Sequence, residues 1–253
     1  MNGISIFIYH RVGRFADIRT HRASCCDLDR FRAQMQALRR LRVPVIPMSQ
    51  AARTLRGETP MPRRAVVLTF DDGCRYFRDN ALPVLEDFGF PAIVYAIAGM
   101  PGGRADWLAE AGHATPPLMT WDELRDIRAR GVEIGSHGLR HPRPVDLDPA
   151  LQLLEMTQSK ALLEREPGAP VVHMCHPCGA HDLRTLQAAA QAGYATAVTC
   201  QRGAATPAFN PLALPRKAVS YGDTTAGFLW KLFMKDAPKG QALARPGLPR
   251  PAG

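Results

Sequence analysis

Ala65-Val66-Val67-Leu68-Thr69-Phe70-Asp71-Asp72-Gly73 decides how this 253-residue chain is read. Residues 65–70 form an apolar run of strand length, and Gly73 breaks the extended conformation just after it. Two neighbouring carboxylates therefore stand where a strand enters a loop, the position at which α/β folds gather their ligands. Adjacent acids repel each other, and a bound cation relieves that repulsion. A divalent metal on one acid would leave the other free to act as a base. The alternative is a plain Asp-Asp-Gly turn, and the rest of the chain has to separate the two.

Working outward, apolar strand-like runs alternate with amphipathic helical ones. Ile4 to Tyr9 reads as a strand and Leu28 to Arg40 as a helix, with Phe31, Met35, Leu38 and Leu41 on one side. Val43 to Ile46 reads as a second strand, and Ser49 as the cap of a short helix. After the Ala65–Phe70 strand come a helix around Ala81 to Phe88, a strand at Ala92 to Ile97, and a Gly- and Pro-rich loop from Gly99 to Pro117. Thr120-Trp121-Asp122-Glu123 is a capping box that starts a helix ended by Gly131, and Val132 to Ser136 is the next strand. Asp148 and Pro149 open a long helix, Val171 to Cys175 is a strand, Asp182 opens another helix, and Ala195 to Thr199 continues the alternation. Repeated βα units argue for a parallel sheet or barrel in one domain, spanning residues 1–235. The Pro-rich tail, 236–253, lacks periodicity and is expected to be disordered.

Composition narrows the function classes. The chain is 46% hydrophobic and 22% charged, the balance of an ordinary globular protein. No apolar stretch approaches the roughly 20 residues of a membrane span, and the first residues lack the features of a signal peptide. A cytoplasmic location with reduced thiols is the expectation, since six scattered cysteines make no disulfide scaffold. The net charge of +9 comes mostly from arginines scattered along the chain, without basic blocks interleaved with aromatics, so no nucleic-acid partner is expected. Gly227-Phe228-Leu229-Trp230-Lys231-Leu232-Phe233-Met234-Lys235 reads either as a last helix packed on the domain or as a peripheral membrane contact.

A second polar cluster, Ser136-His137-Gly138-Leu139-Arg140-His141-Pro142, again follows a strand. Two histidines four apart can turn their imidazoles to one point. Gly138 occupies the place where a zincin's HExxH motif carries its general-base glutamate, so the base must come from elsewhere, and Asp71 can supply it. One Asp and two His form a metal site with positions open to water and substrate.

The chain resembles the polysaccharide deacetylases, the NodB-homology domains of carbohydrate esterase family 4. The resemblance is carried by TFDDG at 69–73, SHGLRHP at 136–142 and the Pro177-Cys178-Gly179 turn. Tyr9-His10-Arg11-Val12, the segment at 80–85, Gly89-Phe90-Pro91-Ala92 and Met119-Thr120-Trp121 add to it, over roughly Ile4 to Tyr221. It implies a distorted (β/α) barrel with the site at the C-terminal strand ends. It also implies one divalent metal, usually zinc, held by Asp72, His137 and His141, with Asp71 as the general base. The implied reaction is removal of an N-acetyl group from an amino sugar of a glycan or glycan precursor. The backbone N–H of Cys178, between Pro177 and Gly179, would share the oxyanion charge. Related members also resemble O-acetyl esterases, deformylases and allantoinase-like amide hydrolases, and a non-catalytic glycan-binding relative is the reading from another class.

The third motif departs from the pattern. The common form is Arg-x-Pro-Tyr-Gly, and here the span reads Cys175-His176-Pro177-Cys178-Gly179-Ala180-His181-Asp182. The arginine that orients the base is therefore missing from its usual place. The family's late Leu-x-His, source of the catalytic acid, is not apparent either. His176 and His181 are candidate substitutes, and His10 at the end of the first strand could line the site or make a structural hydrogen bond. The CxxC at 175–178 could also be a redox pair or half a zinc site, but its late position in a long βα chain speaks against a thioredoxin-like role.

Overall fold

A computed structural model describes residues 3–15, 18, 22–109, 112–240 and 243–245. In chain order the elements are β1 (Ile4–Tyr9), β2 (Arg11–Gly13), β3 (Cys25–Asp27), α1 (Leu28–Arg40), α2 (Met48–Leu55) and β4 (Ala65–Phe70). They are followed by α3 (Leu82–Phe88), β5 (Ile93–Ala96), α4 (Trp121–Ala129), β6 (Glu133–Ser136), α5 (Pro149–Arg165) and β7 (His173–Cys175). The last are α6 (Leu183–Gln191), β8 (Thr196–Arg202), β9 (Leu214–Ala218) and α7 (Thr225–Met234). Strands β1-β4-β5-β6-β7-β8-β9 close into a barrel of parallel neighbours, and β2 and β3 pair separately beside it. Of the parallel sheet or barrel that the βα alternation allows, the chain forms the barrel, as the family resemblance implies.

The barrel strands are apolar on both faces because side chains pack inside the barrel and beneath the helices. Every residue of β1 and of β4 is buried. Tyr9, Phe31, Phe70 and Phe77 form an aromatic core outside the mouth of the barrel, with ring centroids 4.7–6.0 Å apart. That packing fixes the strand end from which Asp71 emerges. The helix starts follow the caps written in the sequence. Thr120 and Glu123 complete a reciprocal capping box, Asp148 accepts from Leu151 N–H, and Asp182 forms a second box with Thr185.

Four expectations need correction. Val43 to Ile46 is not a barrel strand. It makes one isolated bridge, Val45 to Val66, because Pro44 and Pro47 bracket it and offer no N–H. Ser49 does not cap α2. The helix begins after Pro47, and its first N–H groups, from Met48 and Ser49, donate to the Glu133 carboxylate at 2.7 and 3.1 Å. An acid at a helix N-terminus does this work as well as a cap does, and here it comes from β6. Strand β9 closes the barrel where no strand was expected. Finally, the chain stays packed past residue 236: Asp236 pairs with Lys217 and Arg64, and Asn210 N–H donates to Leu243 O. The last residues of the expected tail, 246–253, lie outside the described residues.

Among the described residues, no helix is long and apolar enough to cross a membrane.

Candidate active site

The carboxyl-terminal strand ends bring the two sequence clusters together. Asp71 and Asp72 leave β4, His137 and His141 follow β6, and His10 follows β1. All but His10 are at least nine-tenths buried. Four non-glycine residues have positive φ among the described residues, and three of them, Asp72 (71°), His141 (66°) and Cys178 (57°), stand here. Left-handed backbone at non-glycine residues costs energy, and its concentration at one place marks a constrained functional surface.

Asp72 Oδ1 lies 3.4 Å from His137 Nε2 and 3.7 Å from His141 Nε2. Ligands around one tetrahedral ion at about 2.0–2.1 Å are spaced roughly 3.3–3.4 Å apart, so this triangle matches a metal's ligand set. His137 Nδ1 lies 2.9 Å from Cys175 O, which can only accept, so Nδ1 carries a proton and Nε2 is the ring nitrogen turned toward Asp72. A cation fits between that nitrogen and the carboxylate, either a metal ion or the second proton of an imidazolium. The loop joining the histidines is held from outside: Glu155 Oε2 accepts from Leu139 and Arg140 N–H at 2.8 and 3.0 Å, and Ser136 Oγ accepts from Gly138 N–H. Trp107, from the long 99–117 loop, stacks on the His141 ring at 4.5 Å.

Asp71 stands apart from that triangle, and its partner was missed in the sequence. Arg216 of β9 gives both ends of its guanidinium fork to the Asp71 oxygens, at 2.7 and 2.8 Å, with both side chains buried. Arg216 is itself fixed by Thr69 Oγ1 and Thr199 O, each at 2.9 Å. Burial alone would push the Asp71 carboxyl up, but the guanidinium reverses this and holds it below the usual carboxylate range. The orienting cation is therefore present, delivered from another strand. Cys175, which stands where the common pattern has arginine, lies beneath it. Burial keeps the thiol protonated, and Sγ donates toward Asp71 Oδ2 at 3.5 Å while accepting from Arg216 Nη2 at 3.0 Å.

On the open side, His10 Nε2 is 3.9 Å from Asp71 Oδ2, with a quarter of its side chain exposed. His176 Nε2 is 3.0 Å from Leu212 O, and burial pushes this imidazole down to about 4, which leaves it neutral. His181 Nδ1 bonds its own turn at Gly179 O. Of these three histidines, His10, read in the sequence as lining the site, is the one whose ring nitrogen stands within 4 Å of Asp71. The cavity between these groups has a volume of about 160 Å³, and Cys178, Gly179 and Cys200 line its far wall, whereas Pro177 packs toward Gly138. A wider depression of about 400 Å³, between Phe90 and Arg130 at the opposite strand ends, contains none of these groups.

A polysaccharide deacetylase family profile matches residues 58–197. Among named proteins, the chain is 26% identical over 225 residues to YxkH of Bacillus subtilis (strain 168), which carries a polysaccharide deacetylase name. That match covers 89% of this chain and 74% of YxkH. It is 30% identical over 146 residues to the poly-β-1,6-N-acetyl-D-glucosamine N-deacetylase of Escherichia coli (strain K12), covering 54% of this chain and 20% of that larger protein. Among solved structures, the Streptococcus pyogenes deacetylase PplD in complex with acetate superposes with a TM-score of 0.79 at 25% identity, covering 91% of this chain and 98% of that one. IcaB from Ammonifex degensii shares the fold, with a TM-score of 0.78 at 22% identity over 92% of this chain and 98% of that one.

Proposed function

The chain belongs to the polysaccharide deacetylase family, and from that premise we propose that it hydrolyses the N-acetyl group of an amino sugar in a glycan or glycan precursor. One observation carries the division of roles. Asp71 is claimed by Arg216, and Asp72 is claimed by His137 and His141, so the adjacent acids have different partners and do different work.

Asp72, His137 and His141 would hold a divalent ion, and their oxygen and nitrogen donors suit zinc. Such an ion, when bound, supplies Lewis acidity and makes water acidic enough to attack near neutral pH. Asp71, kept ionised by Arg216, accepts the proton of the attacking water. The carbonyl carbon of the acetamide becomes tetrahedral, and the Cys178 N–H, at the cavity wall, faces the growing oxyanion. His10 then donates a proton from Nε2 to the leaving amine, the step for which the sequence left no candidate at the usual place. The similarity to a poly-β-1,6-N-acetyl-D-glucosamine N-deacetylase supports N-acetylglucosamine polymers as the first substrates to try.

The test is metal content together with acetate release from N-acetylglucosamine oligomers, for wild type, Asp71→Asn and Asp72→Ala. Asp71→Asn should keep its metal and lose about 10²- to 10⁴-fold in rate. Asp72→Ala should lose both. A wild type without metal that releases no acetate from any acylated sugar would defeat the proposal, and full activity in Asp71→Asn would defeat the assignment of the base.

A further inference from the structure

Helix α7 has a face that the barrel does not use. Its inward residues, Phe228 and Leu232, are fully buried, and the Phe228 ring packs on Phe7 at 4.5 Å. On a helix whose other face met only water, the outward positions would be polar. Here Trp230 is 51% exposed, Phe233 41% and Met234 67%. They make up nearly half of the seven large apolar side chains so exposed among the described residues, gathered on a single helical turn. That clustering separates this face from ordinary scattered surface apolars.

The charges around it have one sign. No acid occurs between Thr225 and Met234. The two acids that flank the helix are consumed internally: Asp223 by Lys231, and Asp236 by Lys217 and Arg64. Lys235 has no carboxylate partner among the described residues, and its ammonium lies over the Trp230 ring at 3.9 Å. Arg64 lies similarly over Phe233 at 4.8 Å. An indole and a phenyl ring capped by cations form an amphipathic edge, apolar where acyl chains begin and positive where headgroup phosphates lie.

We propose that this α7 face docks the protein, peripherally and reversibly, on an anionic lipid surface. The charge pattern selects that occupant over a second copy of the chain, because a two-fold contact through this face would set Lys235 and its neighbours against their own images. The geometry also sets an orientation. Leu232 O accepts from Lys217 and Arg64, and Asp236 O accepts from Ala204 N–H, next to the Ala205–Ile4 bridge. The exposed turn thus lies by the amino-terminal ends of β1 and β4, whereas Asp71 and its cavity open at the carboxyl-terminal ends. Docked through α7, the protein turns its cavity away from the lipid and toward glycan in solution.

Cosedimentation with vesicles of phosphatidylcholine, with and without phosphatidylglycerol, tests this on the full chain. Wild type should pellet with the anionic vesicles only, and raised salt should release it. Lys235→Glu should weaken binding about fivefold or more, the effect of a basic residue at a charged surface. Trp230→Ser with Phe233→Ser should weaken it more than about tenfold, because these two residues supply the inserted apolar area. Brominated acyl chains in the anionic vesicles should quench part of the tryptophan emission, a part missing in Trp230→Phe. None of these residues touches the cavity, so acetate release from a soluble oligomer should match wild type and show that the variants fold. The proposal falls if wild type ignores anionic vesicles, if neutral vesicles bind it equally, or if the double variant still pellets. It falls also if sedimentation velocity finds a dimer that the double variant dissolves, since the face would then serve a second copy. The readout is binding, so either result leaves the deacetylase proposal to its own test.

Discussion

Replacing Arg216 by glutamine tests whether a cation from β9 makes Asp71 a base. The pair is buried on both sides, with side-chain exposures of 0% and 3%, and is joined by two hydrogen bonds of 2.7 and 2.8 Å. With charge centres about 4 Å apart and an effective dielectric near 20, the attraction is about 4 kcal/mol. Removing one member of a buried pair costs roughly 3–5 kcal/mol, because the other is left buried and uncompensated. The two figures agree, so Arg216→Gln should lose several kcal/mol near neutral pH.

The pH dependence gives the sign. In the wild type the folded Asp71 carboxyl lies below its unfolded value. The stability it contributes is therefore complete above the unfolded value, near about 3.9, and is lost as pH falls through the folded one. Without Arg216, burial is opposed only by the smaller pulls of His10 and His137, so the carboxyl rises and the variant should lose stability as pH rises where the wild type has none to lose. Denaturant melts across the acid range should show the gap between the two proteins widening toward neutral pH. The acid limb of acetate release should move upward in the same variant. Arg216→Lys keeps the charge and guards against a variant that does not fold. With Asp71→Asn already present, the arginine substitution should cost at least about 1 kcal/mol less than it does alone, since no buried charge is stranded. A loss below about 1 kcal/mol in Arg216→Gln, or an acid limb that coincides with wild type, would refute the reasoning.

Three further outcomes follow from the geometry. His10→Ala should keep its metal and lose about 10²-fold on N-acetyl sugars, yet stay close to wild type on an aryl acetate, whose leaving group needs no proton; equal losses on both substrates would remove His10 as the acid. Glu155→Ala frees the two N–H groups that shape the His137–His141 loop, and should weaken metal affinity about 10- to 100-fold in a chelator competition while the metal-free melting midpoint moves little. At Gly179, φ is +66° and an added Cβ would stand 2.5 Å from the Cys200 backbone nitrogen, so Gly179→Ala should cost about 1–3 kcal/mol in a melt and most of the acetate release.

Much of the fold was legible because its signals are local. The Ala65–Phe70 run, the Thr120–Glu123 box and the Asp148-Pro149 start each lie within a few residues, and each element formed where it was read. Strand β9 was not legible, because Pro215, Arg216 and Lys217 give it the look of a polar loop. Their burial is possible only because partners arrive from afar: Asp71 lies 145 residues from Arg216, and Ser5 lies 212 residues from Lys217. The cap of α2 was hidden for the same reason, since Glu133 is 85 residues from Met48. The seven strands read in the sequence equalled the barrel's number only because Val43 to Ile46 was counted among them, so the count itself did not point to β9. In the site, the acids and histidines of the two motifs met as read, since each motif sets its own geometry at a strand end. The pairing of Arg216 with Asp71 and the approach of His10 to it did not show, because each depends on a contact between strands far apart in the chain.

The third motif shows what kind of change a site of this type tolerates. Read as sequence, Cys175 in place of arginine looks like erosion and motivates the non-catalytic reading, against which the intact Asp71, Asp72, His137 and His141 count. In the fold, Arg216 Nη2 lies 3.0 Å from the Cys175 sulfur, so a guanidinium still stands beside Asp71 although it is carried two strands away. As the proposed base, Asp71 would need a buried positive charge of fixed direction, whatever strand supplies it. A thiol is small enough to leave room for a guanidinium arriving from β9, and burial keeps it neutral, so it adds no charge of its own against Asp71. An arginine at 175 together with Arg216 would put two cations on one carboxylate, with the like-charge cost that implies. Cys175→Arg alone should therefore destabilise the protein, whereas Cys175→Arg with Arg216→Ala should recover part of both stability and acetate release. If the double variant is no better than Arg216→Ala, the two positions are not alternative seats for one charge.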